Sequence, residues 1–263
     1  MGYTVFMKTV AITGATAGIG RATALRFDRA GYRVAAYGRN PKALCELREE
    51  LRPGAVVDSL DVQDADAWAT KLAELTEQTN GQLDVLVNNA GILSAGRFAE
   101  LQLSPQRSII DVNIGGTLNG CHSAYPYLRA TPDAVVVNLC SASAMYGQAE
   151  LAAYSASKFA LRGLTEALEL EWAADDIRVC AVWPLFVDTG MVQGVDTGST
   201  RTMGVSLTAD DVAKAIVKIA ERRPRMPHGP HFGVGWQAKS LMAIAAVAPG
   251  WVLREINRRA TGS

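Results

Sequence analysis

Tyr154 and Lys158 stand four residues apart in "AAYSASKFALRGL" (152–164), with Ser155 and Ser157 between them. At helical pitch, residues four apart share a face, so both side chains can reach one cleft. A free tyrosine is a poor base near neutral pH. A neighbouring ammonium favours the phenolate and lowers the tyrosine pKa. The lysine can also hold sugar hydroxyls of a nucleotide cofactor and relay a proton outward. Ser141 closes the strand-like run "VVVNLCS", thirteen residues before the tyrosine, where its hydroxyl can orient a substrate oxygen. Together these groups suit hydride transfer without a metal: the tyrosine exchanges the proton and a cofactor exchanges the hydride. Taken alone, the Tyr-Lys pair is also a helix with a polar side, and the rest of the chain has to decide.

A second feature decides much of it. "TGATAGIG", Thr13 to Gly20, joins an apolar β-rich run to a helical one. Glycines at 14, 18 and 20 permit a tight turn and close approach of a pyrophosphate. The helix start then offers unpaired N–H groups and the positive end of its dipole. The spacing is GxxxGxG rather than GxGxxG. Gly14, Thr16, Ala17, Gly18, Ile19 and Gly20 are the expected phosphate contacts. The second strand ends "AAYGRN" with no acid at 37–39, and Arg39 follows Gly38. An acid there would bind a ribose 2′-OH, whereas an arginine accommodates a 2′-phosphate, so NADP(H) is favoured over NAD(H). Asp61 and Val62, in "SLDVQD", suit the adenine edge, although Asp61 is equally a helix cap. Asn89, Ala90 and Gly91, in "NNAG", read as cofactor contacts or as an ordinary turn.

The elements that must position these residues alternate. Strands are expected at 8–14, 32–38, 55–62, 83–91, 134–141 and 177–184. Helices are expected at 19–31, 41–51, 64–81, roughly 105–130 and 153–173. The strands are near-continuously apolar, as in a parallel sheet covered on both faces. The order predicts an α/β, doubly wound, Rossmann-like parallel sheet in a single domain over 1–263, without linker or repeat. Residues 185–207 break the rhythm and read as a substrate lid. Within 238–253, the apolar run "SLMAIAAVAPGWVL" is too short to span a bilayer and is interrupted at Pro249-Gly250. It reads as a buried terminal helix or an oligomer contact, with membrane-surface contact through its arginine-rich flank as a minor alternative.

Composition removes other classes. The chain has 263 residues, 49% hydrophobic, with 26 basic and 26 acidic side chains. That is enough for one large core, and it gives no electrostatic case for nucleic acid. Cys45, Cys121, Cys140 and Cys180 have no metal-finger or CxxC spacing, and His122, His228 and His231 form no metal motif. No metal site is expected. With no secretory signal before the first strand, reduced thiols and a cytoplasmic location are expected.

TGATAGIG, LDV, NNAG, "DVNIGGT" (111–117), "NLCSASAMYG" (138–147) and YSASK (154–158) follow one another in the order and spacing of the short-chain dehydrogenase/reductases. Over about residues 7–222 the chain resembles that family in its single-domain form. The resemblance implies that Tyr154 is the general acid/base and that Lys158 lowers its pKa and binds ribose. It implies that Ser141, with Ser143 as a weaker candidate, hydrogen-bonds the substrate oxygen, and that Asn113 holds a water in the proton relay. Pro184, Val187 and Thr189 fit the nicotinamide contact, while Leu185 replaces a glycine often found there. The resemblance further implies a homodimer or homotetramer.

For substrate, Leu93, Met145, Trp183, Leu185, Phe186, Met191 and Met203 point to a hydrophobic secondary alcohol or ketone, with core packing the other reading of Trp183. The expected activity is that of a carbonyl reductase or alcohol dehydrogenase. An epimerase or dehydratase would favour TGxxGxxG and a larger C-terminal domain. A non-catalytic dinucleotide-sensing protein would commonly lose the tyrosine or the lysine.

Overall fold

The computed structural model describes residues 7–190, 207–222 and 229–261. Its centre is a seven-stranded parallel sheet in the order β3-β2-β1-β4-β5-β6-β9. The strands are β1 (Thr9–Thr13), β2 (Arg33–Gly38), β3 (Val56–Ser59), β4 (Val85–Asn88), β5 (Val135–Leu139), β6 (Arg178–Trp183) and β9 (His231–Gly233). All five residues of β1 are buried. Its Val10 lies level with Val34 of β2 and Val85 of β4, so β-branched side chains stack across the middle of the sheet. The strand order reverses between β1 and β4. In an open α/β sheet the crevice beyond the strand ends at that point takes the ligand.

Helices cover both faces. On one side α1 (Gly18–Arg29), α2 (Pro41–Glu50) and α7 (Ala209–Glu221) pack over Val10, Ile12, Val34 and Val182. On the other, α3 (Ala65–Thr76), α5 (Gly116–Arg129) and α6 (Ala152–Trp172) pack over Ala11, Leu86, Val136 and Val179. Two short strands, β7 (Val187–Asp188) and β8 (Leu207–Thr208), pair beside the sheet.

The structure differs from the sequence reading in four places. Strand four stops at Asn88 rather than 91, because the N–H groups of Asn89 and Ala90 donate to Thr13 Oγ1, at 3.0 and 3.1 Å, and not to a neighbouring strand. Strand three is confined to Val56–Ser59. The helical region near 105–130 is two helices, α4 (Leu103–Ile110) and α5, joined by a π-helical turn at Asp111–Gly115. The seventh strand, β9, was not foreseen, since three residues between Pro230 and Val234 carry too short a pattern to read.

The C-terminal segment also departs from expectation. It forms α8 (Gly235–Val247) and α9 (Gly250–Thr261), separated at Ala248-Pro249. Only one side of α8 is covered. No helix among the described residues is long and apolar enough to cross a membrane. The proposed lid lies mostly at 191–206, outside the described residues.

Candidate active site

The phosphate turn is shaped before any ligand arrives. Gly14 has φ +61°, in the left-handed region that only glycine adopts freely. A Cβ on Gly20 would stand 2.1 Å from the Gly14 carbonyl oxygen, so α1 can approach the turn only through a glycine there. Gly20 therefore serves packing and, contrary to expectation, does not line the cleft. Neighbouring helix starts are closed by side chains: Asn40 accepts from Ala43 N–H at 3.2 Å and Asp64 from Ala67 N–H at 2.9 Å. The start of α1 has no such cap and no acid in its first turn. Its first N–H groups and dipole remain available to an anion.

Two adjoining cavities meet at Gly14, Ala90 and Gly91. The first, of about 240 Å³, is lined by Thr16, Arg39, Asp61 and Val62 among others. All four were expected at the cofactor. Arg39 and Asp61 form an ion pair with each other at 3.8 Å, and both side chains are substantially exposed, 59% and 44%. Such a pair is worth little against solvent and can open.

The second cavity, of about 290 Å³, contains Ser141, Ser143, Tyr154 and Lys158 together with Ala17, Gly18, Ile19, Asn89, Pro184, Val187 and Thr189. Leu93, Leu151, Leu185 and Phe186 add apolar wall. Asn89 lines it, but its amide donates to the carbonyls of Thr13 and Gly14, at 2.8 and 3.1 Å. Its side chain thus locks the two turns together, and only the surface it leaves is open to a ligand.

Helix α6 carries both Tyr154 and Lys158. Lys158 is buried, and its ammonium donates to the Leu139 carbonyl at 2.9 Å and stands 5.4 Å from the centre of the Tyr154 ring. Burial pulls the lysine pKa down. For Tyr154 the expected lowering is reversed. Burial pushes its phenol up to about 12, although a hydrogen bond with Ser141 works against that. Desolvation is the largest influence on the phenol, and the Ser141 hydrogen bond only partly offsets it. The Ser141 hydroxyl donates to Ser143 Oγ at 3.2 Å, and Ser143 donates to Gln148 Oε1 at 3.3 Å.

Gln148 and Ser157 were missed in the sequence. Gln148 lines the cavity and is itself positioned by its backbone N–H donating to Ser155 Oγ at 3.1 Å. Ser157 donates to the Tyr154 carbonyl at 2.7 Å and accepts from Asn113 Nδ2 at 3.0 Å. The signal lay in YSASK itself, where small hydroxyls between Tyr154 and Lys158 mark a buried, hydrogen-bonded helix face.

Besides Gly20, three expected residues among those described stand off the cavity wall. Asn113 sits in the π-helical turn, buried, behind the cavity wall rather than on it. Its amide group also donates to the Ile92 carbonyl, at 3.0 Å, and its carbonyl oxygen accepts from Ile92 N–H at 2.8 Å. Its observed work is to fix the loop after β4 to α6. Met145 and Trp183 belong to the core beneath the cavity, with Cys140, Tyr146 and Leu241. Met191 and Met203 lie outside the described residues. Cys121, Cys140 and Cys180 are buried free thiols and Cys45 is exposed. Burial pushes Cys140, beside Ser141, up to about 11, so it stays neutral.

Comparison with known proteins bears on the family and the fold. A 3beta-hydroxysteroid dehydrogenase from Mediterraneibacter gnavus is 36% identical over 190 residues, covering 71% of this chain and 68% of that one. A 3-ketoacyl-(acyl-carrier-protein) reductase from Brucella melitensis, solved with NADH, superposes with a TM-score of 0.79 at 26% identity, covering 86% of this chain and 96% of the other. ElxO, solved with NADP bound, gives 0.78 at 27% identity, covering 89% of this chain and 100% of that one. The profile of the short chain dehydrogenases matches residues 8–200. By that match, and with the glycine turn, NNAG and YSASK in one cleft, the chain belongs to the short chain dehydrogenase family of oxidoreductases.

Proposed function

We propose that this chain is an NADP(H)-dependent carbonyl reductase or alcohol dehydrogenase for a hydrophobic secondary alcohol or ketone. The observation that carries the reading is the convergence of Ser141, Tyr154 and Lys158 on a largely apolar cavity that opens onto the phosphate turn. The residues fit a nicotinamide dinucleotide: Gly14 and its turn line both cavities, and the start of α1 is uncapped. Bound there, the dinucleotide supplies or accepts the hydride.

The chain's own residues handle the proton and the substrate oxygen. Burial holds Tyr154 as a neutral phenol at neutral pH, the form that can donate to a carbonyl oxygen being reduced. Ser141 is within reach of the same oxygen. Lys158 holds ribose hydroxyls and, as an ammonium, favours the phenolate once the proton has left. Leu93, Leu151 and Phe186 exclude water and suit an apolar substrate.

Arg39 supports NADP(H), because releasing its weak pair with Asp61 frees a guanidinium for a 2′-phosphate. Asn113, buried in its turn, fits a role in holding the relay's geometry. The long helices α5 and α6 expose Leu118, Phe159 and Leu170, which suits assembly as a homodimer or homotetramer.

The test is a panel of ketones and secondary alcohols offered with NADPH, NADH and their oxidised forms, followed at the nicotinamide absorbance. Turnover with NADPH that is lost in Tyr154→Phe supports the reading. Tyr154→Phe turnover within a few-fold of the parent would sink it. Tight NADPH binding with no turnover on any substrate would favour the dinucleotide sensor instead.

A further inference from the structure

Helix α8 is apolar on both sides but covered on one. Ala238 and Leu241 are buried, with Met242 and Ala245 half-buried, and these four fall on one stripe. They pack against the segment around Ala142–Ala144 that forms the floor of the active-site cavity. The opposite stripe carries Trp236, Ser240, Ala243, Ile244 and Val247, all exposed. Trp236 is 76% exposed and Val247 84%. The apolar surface continues around the corner through Pro249 and Gly250 to Trp251, which is 73% exposed. A helix apolar all round belongs either in a core or in contact with lipid. Here half of it faces outward.

Charge tells what covers it. Within 235–261 there are four cations, Lys239, Arg254, Arg258 and Arg259, against one carboxylate, Glu255. Arg258 and Arg259 pair with Glu255, while Lys239 and Arg254 stand exposed beside the two tryptophans. Trp251, Arg254 and Arg258 lie three and four apart on one face of α9. A twofold contact of this face with a second copy would set Lys239 and Arg254 against their own kind. An anionic surface has the complementary charge. Tryptophan with flanking arginine is the composition that settles at a bilayer's headgroup level.

We propose that the outer face of α8 and the α8–α9 corner dock on an anionic lipid surface, lying in the headgroup layer without crossing it. The corner inserts Val247, Ile244 and Trp251, and Lys239 and Arg254 meet the headgroups. The docked helices adjoin the active site through their inner sides, since Asn257 of α9 donates to the Gly147 carbonyl at 2.5 Å, next to Gln148 of the cavity. A substrate partitioned into lipid would then reach the cleft from the membrane side. The docking itself holds whatever reaction the cleft performs.

Co-sedimentation of the full chain with vesicles tests it, using phosphatidylcholine alone or mixed with phosphatidylglycerol. The expected result is binding to the anionic vesicles only, lost in Val247→Asp and in Trp251→Ser. Each of Lys239→Gln and Arg254→Gln should weaken it roughly fivefold. Leu103→Asp, at the exposed start of α4, should bind as the parent does. Unchanged melting temperatures would confirm that the variants fold, because the substituted side chains are exposed. No sedimentation with anionic vesicles, or equal sedimentation with neutral ones, would overturn the proposal. So would a solution dimer that Val247→Asp dissolves, which would assign this face to self-contact. None of these readouts uses enzyme activity, so failure here leaves the proposed reaction standing, and the reverse.

Discussion

At the Tyr154 end of the cleft, Lys158 and Asn113 are buried and Asn113 makes three hydrogen bonds to its surroundings. At the Arg39 end, the two charged residues are substantially exposed and meet at 3.8 Å. The first is built from buried side chains already held by hydrogen bonds. The second is a loose pair that solvent already competes for. Chemistry demands geometry held to a fraction of an ångström, whereas choice between cofactors needs only a difference in affinity. The contrast implies that substitutions at the two ends differ in size and in kind.

The largest effect should come from Tyr154→Phe. It removes only the hydroxyl, so turnover should fall about 10²- to 10⁴-fold while NADPH binding changes little. Steady-state rates beside a fluorescence binding titration check both halves. Next comes the support of α6. Asn138 accepts from Asn88 at 2.9 Å and donates to Thr165 of α6 at 3.0 Å, all buried. Asn138→Ala leaves partners unpaired and should cost about 1–3 kcal/mol, read by urea denaturation. A smaller loss would mean that α6 is held chiefly by its other contacts, the hydrogen bonds at Ser155, Ser157 and Lys158 among them.

Arg39→Ala should be milder. Because the side chain is exposed, it should weaken NADPH about fivefold more than NADH, corresponding to about 1 kcal/mol. Equal weakening of both would remove Arg39 from the phosphate site and dissolve the contrast at its other end. Smallest near neutral pH is the titration of Tyr154. Its folded pKa, about 12, lies above the ordinary value near 10. The stability it contributes is fully present below about pH 10 and is lost as pH rises through the folded value. Tyr154→Phe should flatten stability against pH in that alkaline window, measured by denaturant titration.

The same division explains what the sequence disclosed. The sheet was readable because β1, β2, β4, β5 and β6 are nearly unbroken apolar runs. The turn and the Tyr-Lys pair were readable because their chemistry needs particular residue types at fixed spacing. Gln148 and Ser157 were not, since their roles come from hydrogen bonds, Ser143 to Gln148 and Asn113 to Ser157, between residues that only the fold brings together. Met145 and Trp183 misled because an apolar residue at a strand end looks alike whether it faces a cavity or the core below it. The raised Tyr154 pKa was illegible for a similar reason: burial depends on every wall of the site, and the lysine is only one of them.

The clamp of Thr13 on the turn after β4 has a consequence for the growing chain. Its hydroxyl meets partners 76 and 77 residues further on. While a ribosome makes this protein, β1 to β3 can emerge and pair before β4 exists. The phosphate turn then lacks the residues that fix its shape. The nascent first half should therefore hold nucleotide poorly, and competence should appear as a step once the NNAG turn leaves the exit tunnel.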